Sequence, residues 1–240
     1  MAGRCFLATY RPLGRRRSGR QAVQKHALPP FIDGSCRREP DFESPFPSIT
    51  ATCRGGNFAP RLQVGDRIVY LTVKGRYLGD TESGWRLVAV LRVIQRFLSH
   101  EEAASWYERQ NKPLPSNCLV DGNPPKPFEL TNGDPPAEVK QTATAAKHDF
   151  VGVIRLWDAT YRQRVARWPV FLATESEFID LNNPPQLGEQ QIRSVFDRIP
   201  RTLNPPQIAC AQLEHLVQLA AGNNLTQAIM KNRIEPHIPR

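Results

Sequence analysis

The sequence predicts an α+β protein, with strands through most of its first three quarters and helices in the last. Short runs rich in β-branched and aromatic residues stand at 5–10, 67–73, 85–94, 150–157 and 165–173, bounded by glycine, proline or polar turn residues. Beyond Pro185 the apolar residues fall instead at helical spacing. With 240 residues and 40% hydrophobic content, the chain has enough apolar side chains to close a core.

Taken in order, Cys-Phe-Leu-Ala-Thr-Tyr at 5–10 reads as a first strand, ended by Arg11-Pro12. Residues 13–47 show little periodicity and are rich in Arg, Pro, Ser and Gly, and a loop of that length is functional or mobile. Gly55-Gly56-Asn57-Phe58-Ala59-Pro60 and Val64-Gly65-Asp66 are turns by composition, the second feeding a buried strand at 67–73. A glycine-punctuated connection then leads to the strand at 85–94, and the two are expected to pair as an antiparallel hairpin. Ser99 and Glu102 form a capping box for a short helix carrying Ala103, Trp106 and Tyr107, stopped by Pro113. Residues 113–136, with seven prolines, read as an irregular surface segment. Strand character returns at 150–157 and at 165–173, where Pro169 implies an edge or a bulge. Ile192, Val195, Phe196 and Ile199 repeat at helical spacing up to Pro200, and Ala209, Leu213, Leu216, Val217 and Ala220 do so up to Gly222.

The formal net charge is +9, and residues 1–60 hold ten Lys/Arg against four Asp/Glu. Arg15, Arg16, Arg17 and Arg20 are either a solvated basic loop or a nonspecific phosphate contact. A second basic group, Arg155, Arg162, Arg164 and Arg167, interleaves with Trp157, Tyr161 and Trp168, a pattern that can neutralise phosphate and stack on bases. The expected partner is therefore nucleic acid or a nucleotide. No run of about 18 uncharged apolar residues occurs, and the first arginine run follows the opening apolar stretch, so a cytoplasmic protein with no membrane partner is expected. Five scattered cysteines without a C-x-x-C or a histidine pair indicate neither a disulfide framework nor a metal site.

No established catalytic motif, phosphate-cradling glycine loop or dinucleotide fingerprint is present, and no cofactor is implied. His148-Asp149 would point to opposite faces of a strand, so the pair is not expected to share a site. Asp33-Gly34-Ser35-Cys36-Arg37-Arg38-Glu39-Pro40-Asp41 packs both signs of charge into one loop, suited either to polar recognition or to local ion pairing. Gly55 and Gly56 would let a ligand approach the backbone while Phe58 stacks on it, unless Phe58 belongs to the core.

The ordered set of Asp33-Gly34-Ser35-x-Arg37-Arg38-Glu39-Pro40-Asp41-Phe42-Glu43, Pro47-Ser48-Ile49, Phe58-Ala59-Pro60-Arg61-Leu62, Gly65-Asp66, Val69-Tyr70-Leu71-Thr72 and Leu87-Val88-Ala89-Val90 resembles the nucleotide modification associated domain family. That family is placed with the PUA-like folds, beside the ASCH, EVE and YTH domains. The resemblance spans about residues 4–175. It implies a PUA-like β-barrel with peripheral helices over residues 1–175, followed by a helical extension over 176–240 that packs on the barrel. It also implies a cleft for a base, modified or not, flipped or single-stranded. Ser35, Arg37, Arg38, Asp41, Asn57 and Phe58 carry over as nucleotide-binding residues, with Tyr10 and Lys74 at neighbouring strand ends. Trp157, Asp158, Tyr161 and Arg164 add a second polar and aromatic patch, unless Trp157 belongs to the core and Asp158 to a turn.

The expected function is a module that recognises a nucleobase in nucleic acid, within a modification or restriction system. The alternative is an enzyme on the same fold, a nuclease or a hydrolase or transferase of modified nucleotides, with Lys74 as charge donor and Asp41, Asp158 or His148 as acid–base groups. A third reading makes the C-terminal helices a docking face for a protein partner.

Overall fold

The computed structural model describes residues 3–77, 79–197, 204–220 and 222. Strand β1 (Cys5–Tyr10) is buried along its whole length and sends alternate side chains to opposite faces of a sheet. Phe6, Ala8 and Tyr10 enter one apolar cluster, Cys5 and Leu7 another. Strands β3 (Arg67–Thr72) and β4 (Trp85–Phe97) supply both clusters in the same way, which is why all three read as nearly continuous apolar runs.

β3 pairs parallel with β1 and antiparallel with β4, so the expected hairpin is present. β5 (Phe171–Ile179) lies on the far side of β4, with β2 (Ser48–Thr50) beyond it. β7 (Gln207–Ile208) adds to β1, and β6 (Gln186–Leu187) pairs with β4. The result is an α+β fold on a seven-stranded mixed sheet of order β2-β5-β4-β3-β1-β7. Its two ends do not pair with each other, so the sheet is not closed into the anticipated barrel.

Each face of the sheet is covered by a different part of the chain. Phe31, Phe42, Ile49, Phe58 and Leu62, from the connection between β1 and β3, cover one face. Helix α5 (Glu189–Val195) and a last helix over residues 210–220 cover the other, through Ile192, Val195, Leu213, Leu216 and Val217. The boundary expected at residue 175 falls inside β5, and β6 and β7 carry the later residues into the sheet. Ile199 and Pro200, the expected end of the first C-terminal helix, lie outside the described residues.

A Cys5–Cys210 disulfide joins β1 to the start of the last helix, with Cα atoms 5.2 Å apart across a sequence separation of 205. This corrects the expectation of no disulfide. Spacing gives no sign of it because the bond unites the two ends of the fold.

Four stretches differ from the sequence reading. Residues 13–47 contain helix α1 (Arg17–His26), and residues 31–42 are buried without a break rather than forming a mobile loop. Residues 150–157 belong to an eighteen-residue helix, α4 (Phe150–Arg167), not to a strand. Asp149 caps α4 by accepting from the Gly152 N–H at 2.8 Å, so His148 and Asp149 stand at a helix start rather than on opposite faces of a strand. The strand expected at 165–173 is displaced to β5, beginning after Pro169. Within 113–136, Ser116, Asn117, Cys118 and Thr131 are buried, so this proline-rich segment is partly interior. Helix α2 (His100–Arg109) starts at Ser99 as expected, the Ser99 hydroxyl accepting from the Glu102 N–H at 3.1 Å. No helix of the described residues is long and apolar enough to cross a membrane.

Candidate functional site

The mixed-charge loop at 33–41 is folded inward, and most of its polar groups are paired. Arg37, fully buried, donates from Nε to Asp158 on α4 at 2.5 Å and from Nη1 to the carbonyls of Ser116 and Asn123. Arg38, 1% exposed, donates to the carbonyls of Asp33, Ser35 and Leu130 and to Glu43. Asp41 accepts from the Ser116 N–H and hydroxyl at 2.6 and 2.7 Å. Glu39 accepts from the Thr50 N–H, the Thr50 and Thr52 hydroxyls and the Asn117 amide. Burial pushes the Glu39 carboxyl up to about 7 against these hydrogen bonds. Buried polar groups persist when their partners are supplied, and here four distant segments supply most of them, Arg37 Nη2 being the exception.

These pairs position the walls of an open cleft of about 400 Å³. Arg37 ties the loop to α4, whose Trp157 and Tyr161 border the cleft while staying 2% and 3% exposed. Arg38 ties the same loop to residue 130, and the Asn132 N–H donates to the Gly34 carbonyl at 2.8 Å, fixing the opposite wall. A Cβ at Gly34 would stand 2.5 Å from the Asn132 amide nitrogen, so only glycine lets the two walls approach this closely. Asp33 and Ser35 line the cleft between them. Asp33 accepts from the Ser35 N–H and hydroxyl, and burial raises its carboxyl above the usual range. The indole N–H of Trp157 is buried and has no partner among the described residues.

The rim is basic. Arg11 follows β1, Arg16 precedes α1, and Lys140 stands on α3 (Ala137–Ala145), whose first residue also borders the cleft. Arg16 and Lys140 share one carboxylate, Asp134. Arg11 has no carboxylate partner among the described residues. Three cations therefore face two carboxylates, Asp33 and Asp134, so the opening carries a net positive charge.

The other expected site residues lie elsewhere. Phe58 is in the core, 1% exposed, against Phe6, and Asn57 is an exposed residue of the turn before it. Gly55 and Gly56 are accounted for by Trp168 of the same chain, whose ring a Cβ at either position would meet within 2.8 Å. Tyr10 is buried and donates to the Phe31 carbonyl, and burial raises its hydroxyl well above the usual range. Lys74 is exposed, paired with Glu189 at 2.6 Å and lying over Trp85. Asp158 is held between Arg37 and Arg162. Arg164 donates to the Thr52 carbonyl at 2.7 Å and pairs with Glu138. Arg15 donates to the Lys74 carbonyl and Tyr77 hydroxyl, Arg20 donates to the Arg15 carbonyl, and Arg17 is exposed at the start of α1. Arg37, Asp41, Phe58 and Lys74 thus do not meet in one pocket, and the proposed acid–base groups Lys74, Asp41, Asp158 and His148 form no constellation. No group of three or more His, Cys, Asp or Glu side chains among the described residues is placed to hold a metal ion.

Arg11, Asn132, Asp134 and Lys140 are not legible as site residues in the sequence. Asn132-Gly133-Asp134-Pro135 carries a turn signal, but nothing in the order of residues brings that turn to α4. Comparison with family models, curated proteins and solved structures returned no match to this chain.

Proposed function

We propose that the chain is a binding module for a nucleobase carried on a nucleotide or nucleic acid, with the cleft between the 33–35 loop and α4 as its site. The observation that carries this reading is the joining, in one opening, of two aromatic side chains, a buried carboxyl with a hydroxyl, and three cations at the rim. Trp157 and Tyr161, 2% and 3% exposed, supply the apolar part of the lining against which a base packs, rather than an open stacking platform. Asp33 accepts from a ring N–H or exocyclic amine, and the Ser35 hydroxyl donates and accepts. Arg11, Arg16 and Lys140 meet the phosphate, and attraction through them weakens as salt rises. In this reading Arg37, Arg38 and Asp41 are positioning residues that hold the walls rather than touch the ligand.

Titration with modified and unmodified nucleoside monophosphates at low salt, followed by tryptophan fluorescence, tests the proposal. Saturable quenching is expected, weakened about tenfold by Arg16→Ala combined with Lys140→Ala. Absence of saturable binding by every nucleotide at low salt would overturn it.

A further inference from the structure

A second opening lies on the other side of the wall that closes the cleft. It is a groove of about 200 Å³ between α1 and residues 128–133, whose lining includes Lys25, His26, Phe128, Thr131, Gly133 and one carboxylate, Glu129. The separating wall is one stretch of chain, residues 131–134, and its residues alternate: Asn132 and Asp134 border the cleft, Thr131 and Gly133 the groove. Neighbouring Cα atoms are about 3.8 Å apart, so the two openings are separated by little more than the width of one backbone.

The wall is fixed rather than free. Ser18 donates to the Asn132 carbonyl, the Gly133 N–H donates to Thr131 Oγ1 at 3.1 Å, and the Asp134 N–H donates to Asn132 Oδ1 at 2.9 Å. Gly133 has φ +62°, and a Cβ there would stand 3.1 Å from Ser18 Oγ, so glycine is what lets α1 pack against the wall. Helix α1 spans both openings: Arg16, its N-cap, borders the cleft, while Ser18, Gln21 and Lys25 border the groove. One helix therefore borders both openings, with Arg16 at the cleft and Lys25 at the groove.

The groove has its own aromatic. Phe128 lies at its border and stacks on Phe150, with ring centroids 4.4 Å apart and planes within 10°. Phe150 is 67% exposed, so the stacked pair lies at the surface. An apolar recess with a half-buried phenylalanine, a lysine and a histidine, one backbone away from a cleft of similar chemistry, is the pattern that successive nucleotides of one strand require.

We propose that the groove is a subsite for the nucleotide adjacent to the one in the cleft, so that the physiological ligand is a single-stranded oligonucleotide rather than a free nucleotide. This rests on the reading of the cleft as a nucleobase site. Phe128 stacks on the second base, the ribose or deoxyribose crosses the 131–134 wall, and Lys25, about 10 Å along α1 from the Ser18 at that wall, meets the phosphate beyond the second base.

The test compares four nucleoside monophosphates with the four matching homotetranucleotides, as RNA and as DNA, on the full chain. The expected result is that the best tetranucleotide binds at least about tenfold tighter than its monophosphate. Lys25→Ala and Phe128→Ala should each remove most of that gain and leave monophosphate affinity unchanged. Lys112→Ala, at an exposed lysine beside α2, should leave both affinities unchanged. Retained monophosphate binding certifies the fold of each variant, and should Phe128→Ala fail to fold, the exposed Lys25 carries the test. Equal affinity for monophosphate and tetranucleotide overturns the subsite while leaving the cleft intact. So does a Lys25→Ala loss matched by Lys112→Ala, which would mark general charge attraction. Failure of every monophosphate to bind overturns the reading of the cleft, and the subsite with it.

Discussion

Arg37 shows how a residue's chemistry and its placement can point in different directions. An arginine in a mixed-charge loop is suited to phosphate, yet this one has no exposed surface and holds Asp158 and two carbonyls. Replacing it with Ala leaves Asp158 without its closest partner, so Arg37→Ala should cost about 3–5 kcal/mol in a denaturant titration. Arg16→Ala, at the rim, should change stability little and weaken nucleotide binding.

Two buried titratable groups give opposite pH signatures. Glu39 has its pKa raised to about 7 by burial, so it binds its proton more tightly folded than unfolded. Its contribution to stability is full below the unfolded carboxyl value and is lost as pH rises to about 7. His100 has its pKa lowered to about 4 by burial while its Nδ1 accepts from the Leu119 N–H, so its contribution is lost as pH falls from the ordinary imidazole range towards 4. Glu39→Gln should therefore be least stable relative to the native chain in acid and gain on it as pH rises to about 7, whereas His100→Gln should gain on it as pH falls. Chemical denaturation at pH 4, 5.5 and 7 reads both, and a pH-independent difference for either variant would contradict its assignment.

At the scale of elements, β1, β3, β4 and α2 are legible in the sequence because local pattern and burial agree. Their apolar runs fill both faces of a covered sheet, and Ser99 caps α2 as its sequence suggests. α4 reads as a strand for a physical reason. Phe150-Val151-Gly152-Val153-Ile154 has the β-branched density of a strand, but the residues that become buried are Ile154, Trp157, Asp158, Tyr161 and Val165, at helical spacing. One buried position is an aspartate, so a purely apolar stripe does not reveal the face. The glycine pair at 55 and 56 is equally opaque, since the aromatic that approaches it comes from residue 168. Gly55 has φ +52°, and a methyl group added to it would meet the Trp168 ring at 2.8 Å, so Gly55→Ala should cost about 1–3 kcal/mol in thermal or denaturant unfolding. Trp168→Ala should recover part of that loss in the double variant, and full additivity would contradict the contact.

At the scale of the whole molecule, the sheet holds two kinds of covering. One face is closed by the long connection between β1 and β3, whose polar residues 33–41 build the cleft wall. The other is closed by the C-terminal helices and tied by the Cys5–Cys210 bond. Cross-linking residues so far apart restricts the unfolded chain, so Cys210→Ser should lower stability by about 2–5 kcal/mol, a difference that disappears when both proteins are measured in reductant. The α+β class is legible in the sequence, while the open sheet and the disulfide depend on pairings between distant segments that no local pattern encodes. The cleft is of the same kind, with walls drawn from residues 11–16, 33–35, 132–140 and 157–161.

The most direct test of the central claim is photocrosslinking of 5-iodouridine monophosphate or its oligonucleotide to the full chain, with the adduct mapped by mass spectrometry. The account predicts an adduct on Trp157 or Tyr161 that is competed away by the unmodified nucleotide. Specific adducts confined to other surfaces, such as the groove beside α2, would contradict it.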